Sequence, residues 1–140
     1  MGSSVNKEEV SIEQSKTYWA IALDWFQQNN RSISALIQDY LCPKCAKKLD
    51  AEGKENSPDV LMSAVKNCCS HGPDFISERL PILESVFRLF LANGNQPLDL
   101  EELGKQLSQW RGGDPYRTSP ETLSRLLKSD CYYGLQEARE

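Results

Sequence analysis

The chain has a single histidine, and it carries neither a glycine-rich phosphate loop nor a nucleophile elbow. Histidine-centred acid–base catalysis therefore has one candidate only, and nucleotide cradling has none. The paired carboxylates Glu8-Glu9 and Glu101-Glu102 fall in a polar N-terminal stretch and at a helix start, where solvation and capping account for them. Gly112-Gly113-Asp114-Pro115 is turn chemistry. The expectation is a protein that is not an enzyme and has no small-molecule substrate. Long hydrophobic runs are also missing. The longest apolar stretch, Leu80 to Ala92, is interrupted by Glu84, Ser85 and Arg88 and is too short and polar to span a bilayer. Met1 to Val10 is polar and charged, unlike a signal peptide, and Asn6 stands where a myristoylation signal needs Ser or Thr. These features predict a soluble cytoplasmic protein with no membrane partner. Nor is there an excess of positive charge. Before Leu80 nine Lys and Arg face eleven Asp and Glu, and from Leu80 onward seven face nine, so each part carries −2 of the net −4. Neither part is the strongly basic body typical of nucleic-acid binders.

What the chain does have is metal-ligand chemistry. Cys42 and Cys45 form a Cys-x2-Cys pair; after 22 intervening residues, Cys68 and His71 form a Cys-x2-His pair. Thiolates and an imidazole in such a set suit a closed tetrahedral zinc site. Cys68 and His71 are three apart, so they share a face on the last turn of a helix. Cys69 is the alternative to Cys68, through Cys69-x-His71. Four protein ligands leave no open coordination position, which implies a structural Zn2+. The competing reading is a buried cysteine cluster with an exposed histidine. A redox Cys-x2-Cys would want a thioredoxin-like strand pattern that is not evident. Cys131 is left over and reads as buried near Tyr132 and Tyr133.

Hydrophobic periodicity predicts a mainly α-helical protein. Residues 1–12 read as a flexible tail, 13–79 as a helical zinc-binding region, and 80–140 as a second module packed on it, sharing one core across the short linker from Asp74. A first helix fits Gln14 to Gln28, with Trp19, Ala22, Leu23 and Phe26 on one stripe. A second runs from Ser32 to Leu41 on Ile33, Leu36, Ile37, Tyr40 and Leu41. The stretch from Ala51 to Pro58 reads as a loop. A third helix starts at Ser57-Pro58, an N-cap followed by proline at the first helical position. In the second module, helices are expected from Pro81 to Ala92, from the Asp99–Glu102 capping box to Trp110, and after Thr118-Ser119-Pro120-Glu121. Short strands are expected at Pro97-Leu98 and Tyr132–Leu135.

That order, carried by Val86–Leu91, Gly94, Pro97–Leu103, Ser119–Leu127 and Tyr132–Leu135, resembles a winged helix-turn-helix over less than half the chain. The turn from Arg111 to Arg117 is longer than usual in that superfamily, and little sequence remains after Leu135 to close a wing hairpin. The resemblance implies a winged-helix-like domain in which Leu123, Leu126 and Leu127 face the core. Thr122, Arg125 and Lys128 would then point toward a DNA major groove, and Arg117, Thr118 and Ser119 would meet phosphates at the helix start. The functional expectation is a small zinc-stabilised regulator that binds DNA in transcription regulation. The alternative is an adaptor using the same helical face for a protein partner or homodimer.

Overall fold

Polar helix starts are the most regular local feature of the chain. The computed structural model describes residues 17–52, 57–112 and 115–138. Among them a first strand, β1 (Tyr18–Ile21), leads into α1 (Leu23–Gln28) and α2 (Ile33–Gln38). Then come α3 (Pro43–Glu52), α4 (Pro58–Asn67) and a one-turn 3-10 segment (Cys69–His71). The remainder is α5 (Ile82–Ala92), β2 (Leu98–Asp99), α6 (Leu100–Arg111), a 3-10 turn (Pro115–Thr118), α7 (Pro120–Ser129) and β3 (Leu135–Glu137). The protein is thus mainly helical, with a small antiparallel sheet of three strands. The expected residue 1–12 tail lies outside the described residues.

Four N-caps each satisfy an amide that the first helical turn leaves without a partner. Ser32 Oγ accepts the Ala35 N–H, Ser57 Oγ that of Val60, Asp99 Oδ1 that of Glu102 and Ser119 Oγ that of Thr122. Pro58 and Pro120 occupy first-turn positions, where a missing N–H costs nothing.

The sheet corrects one expectation. The segment expected to begin the first helix is a strand through Ile21, and it is the middle strand of the order β2-β1-β3. Trp19 pairs with Leu98 on one side and Glu137 on the other, and Ile21 pairs with Leu135. Trp19, Ala20 and Ile21 are all buried. A three-residue run covered on both faces reads the same as part of a helical stripe. Asn95, in the left-handed region at φ 61°, clamps the end of the strand. Its Oδ1 accepts the Ile21 N–H at 2.8 Å and its Nδ2 donates to the Ile21 carbonyl at 3.0 Å.

A single hydrophobic cluster runs through both parts of the chain. It joins Phe26, Ile37, Leu61 and Val65 to Phe87, Phe90, Leu107 and Leu127. Two glycines permit close approaches. A Cβ on Gly104 would stand 2.4 Å from the Thr118 carbonyl, so α6 sits directly on the turn before α7. Gly134 has φ +66°, and a Cβ there would meet the Phe26 ring at 2.7 Å. The step from α7 to β3 is organised by Asp130. Its Oδ1 accepts from the Tyr132 and Tyr133 amides and its Oδ2 from that of Leu135, each at 3.0 Å.

Candidate metal centre

Cys42 occupies the N-cap position of α3: its carbonyl accepts the Ala46 N–H at 3.0 Å, the first helical hydrogen bond. Pro43 follows directly and fixes the first turn. Three residues on, Cys45 is buried on the inner side of that turn. The opposing wall is the end of α4. Helix α4 stops at Asn67 because Cys68 takes φ −138° and ψ −63°, outside helical geometry, and the chain tightens into the 3-10 turn that begins with Cys69.

These two chain reversals bring four sulfurs together with no disulfide among them. The Sγ atoms of Cys42, Cys45 and Cys68 all lie within 4.8 Å of one another. The Cys42–Cys68 separation is 3.9 Å and the Cys42–Cys69 separation 3.3 Å. Four sulfurs held about 2.3 Å from one ion at tetrahedral angles stand about 3.8 Å apart. Cys42, Cys45 and Cys68, with Cys69 held against Cys42, are thus close enough together to hold a metal ion.

Backbone donors complete the knuckle. The Cys42 N–H points at Cys69 Sγ at 3.1 Å. Without a metal, the Cys42 thiol is drawn down to about 7, first by the Cys45 backbone N–H and then by the Cys69 thiol. This is the usual effect of a helix N-terminus on a thiol. Burial pushes the Cys45 and Cys69 thiols the other way. The cluster thus contains one sulfur readily held as a thiolate and two that resist charge until a cation compensates it.

The fourth expected ligand is not in this group. His71 is solvent-exposed, and neither His71 nor Cys69 is among the three ligand atoms that all lie within 4.8 Å of one another; Cys69, expected only as an alternative to Cys68, joins the group through its 3.3 Å contact with Cys42 Sγ. The expectation assumed that α4 continues through His71, so that Cys68 and His71 share a face. The break at Cys68 removes that relation and turns Cys69 inward, to 5% exposure. The adjacent Cys68-Cys69 pair was the available signal. Cys131, expected to be buried, is exposed.

The residues proposed to meet nucleic acid divide into two sets. Arg117, Arg125 and Lys128 are exposed. Thr118 is 5% exposed and its hydroxyl is engaged with Ser108 Oγ at 2.9 Å, so it belongs to the α6–α7 packing. The Ser119 hydroxyl caps α7 and also donates to Thr122 Oγ1. Arg111, a member of the basic stretch before α7, is turned away: it donates to the carbonyls of Ser77, Glu78 and Leu80 and to Ser85 Oγ. Lys128 lines a cleft of about 370 Å³ between α7 and the sheet, together with Asp99, Glu101 and Glu137.

Comparison with protein-family models, with curated proteins and with solved structures found no match.

Proposed function

We propose that this protein is a zinc-stabilised interaction module, in which a structural ion bound by Cys42, Cys45, Cys68 and Cys69 fastens α3 to the end of α4. The observation that carries the reading is the sulfur cluster, in which Cys42, Cys45 and Cys68 lie within 4.8 Å of one another and Cys69 stands 3.3 Å from Cys42. Four protein ligands leave no position for substrate, so the reading gives the metal a folding role and no catalytic one.

The second half of the reading is a winged-helix-like binding surface on α5, β2, α6, α7 and β3. Its support is the element order, the packing of α6 on α7 through Gly104, and a three-stranded sheet beside them. The middle strand of that sheet comes from residues 18–21 rather than from a wing hairpin. Of the two partners the resemblance implies, a protein fits better than DNA. Arg111 is tied to backbone carbonyls, Thr118 is buried, and Lys128 shares its cleft with Asp99, Glu101 and Glu137. Arg117 and Arg125 then remain as the cations at α7 not engaged in this way. Phosphate-driven binding needs several such contacts for useful affinity. DNA binding as a regulator remains the second reading, and those two arginines favour it.

A titration of zinc-loaded protein with duplex DNA at low and moderate salt, read by amide NMR shifts, separates the two. The adaptor reading expects no salt-sensitive shifts from residue 117 to residue 128. Clustered shifts there that fade with salt would transfer the assignment to DNA. Metal analysis of the purified protein tests the other half, with one equivalent of zinc expected.

A further inference from the structure

We propose that the cysteine cluster is also a site of reversible oxidation, in which a hydroperoxide closes a Cys42–Cys69 disulfide and releases the ion. The inference rests on the cluster geometry, which the metal-free protein keeps only in those molecules that hold α3 in place. Cys42 Sγ and Cys69 Sγ are 3.3 Å apart, closer than the 3.9 Å between Cys42 and Cys68. A disulfide of about 2.05 Å needs a closure of about 1.3 Å, within reach of small side-chain rotations. Cys68 and Cys69 are adjacent in sequence, so a bridge between them would need a strained eight-membered ring.

The two sulfurs have different access. Cys42 is half-buried, at the start of α3, whereas Cys69 is 5% exposed and faces it from inside. Peroxide therefore reaches Cys42 first, and Cys69 is placed to resolve the product. In the metal-free form the Cys42 thiol and hydrogen peroxide give a sulfenic acid and water. The Cys69 thiol then displaces that hydroxyl as a second water, forming the S–S bond. In the loaded form the two thiolates give up two electrons to one peroxide, and two protons from solvent complete two waters. The ion keeps only Cys45 and Cys68 and leaves.

The bridge joins the same two elements that the ion joins, α3 and the 3-10 turn after α4. Oxidation therefore exchanges one clip for another, and the protein keeps α3 in place without metal. A reducing thiol reverses the bridge, and zinc can return.

The test treats full-length protein, loaded and chelator-stripped, with limiting hydrogen peroxide and maps peptides without reduction. The expected product links the tryptic peptide ending at Lys44 to the one spanning residues 67–79, with fragment ions placing the bond at Cys69. In the loaded sample one zinc is released per bridge, and dithiothreitol restores binding. A Cys42–Cys45 or Cys42–Cys68 bridge, sulfinic acid without a bridge, or cross-linking between molecules through Cys131 would each overturn the proposal. A protein that holds zinc yet forms no Cys42–Cys69 bond defeats the switch alone. A protein that forms the bond but never holds zinc defeats the metal reading alone.

Discussion

Stripping the metal with a chelator should melt α3 while leaving the core of the protein standing. The helix has ten residues, and Cys45 and Leu49 are its buried side chains among the described residues. A helix of that length is marginal in water, because its nucleation constant of about 10⁻³ corresponds to about 4 kcal/mol. Burying Leu49 returns about 1.5–3 kcal/mol, and Cys45 adds less. The balance leaves a metal-free α3 short by about 1–2 kcal/mol, so between about a thirtieth and a sixth of the molecules would hold it in place. A structural zinc supplies an apparent 10–16 kcal/mol or so in small peptides, well beyond that deficit. The rest of the core lies on other elements: Phe87 and Phe90 on α5, Leu103 and Leu107 on α6, Leu123 and Leu127 on α7, all buried. Amide hydrogen exchange on reduced protein is the assay. Without metal, the amides of α3 beyond its first turn should exchange close to the free-peptide rate, while those of Phe87 and Leu107 keep their protection. Protected α3 amides in the metal-free form would show that packing alone holds the helix. Simultaneous loss of protection in α3, α5 and α6 would show that the metal supports the whole fold. Either result refutes the reasoning.

Four further outcomes follow from the same geometry. His71→Ala should retain the metal, and Cys69→Ser should weaken it by more than the ~10–100-fold typical of a lost outer-shell partner; competition with a chromophoric chelator measures both. Zinc affinity should fall steeply on acidification, since protons compete for every thiolate of the set; a pH series of the same competition shows it. Gly134→Ala should destabilise by about 2–5 kcal/mol, combining about 1–2 for left-handed backbone with about 1–3 for crowding Phe26 and Trp25; a urea midpoint shifted by less than about 1 kcal/mol would contradict so close an approach of Gly134 to the two rings. Arg125→Ala should leave stability within about 0.5 kcal/mol, as an exposed position does. If DNA affinity at low salt drops with it, the second functional reading gains its first contact.

The helix starts were legible because they are written locally. Ser32, Ser57-Pro58, Asp99 and Ser119-Pro120 each mark an N-terminus through one short hydrogen bond, and no distant residue decides it. Cys42, Cys45 and Cys68 were equally plain, since Cys-x2-Cys before a second cysteine pair announces a ligand set by spacing alone. Helix α3 was missed for the opposite reason: its sequence is rich in lysine and short of apolar positions, so periodicity says nothing.

Two departures from expectation share one cause, the extension of a helix past a break set by tertiary contacts. At the N-terminal end, the stripe Trp19, Ala22, Leu23 and Phe26 suggests a helix. Pairing with β2 and β3, which follow about eighty and more than a hundred residues later, makes Tyr18–Ile21 a strand instead. At the end of α4, helical spacing aligns Cys68 with His71. The Cys42 N–H donating to Cys69 Sγ from 27 residues away belongs to a different arrangement, in which the helix has already ended. In both cases the local pattern was compatible with two backbones, and a partner remote in sequence distinguishes them. The second break has the chemical consequence. An unbroken α4 would offer three thiolates and an imidazole on a regular face, whereas the broken one offers four sulfurs, two of them close enough to bond. The kink at Cys68 is therefore what makes the cluster a candidate both for a four-thiolate metal site and for oxidation. A substitution that restores helical geometry there without touching a ligand, such as Gly72→Ala with Pro73→Ala, should favour His71 ligation and suppress the Cys42–Cys69 bridge. If the bridge forms at an unchanged rate in that variant, the break is fixed by the cluster itself and not by Gly72 and Pro73.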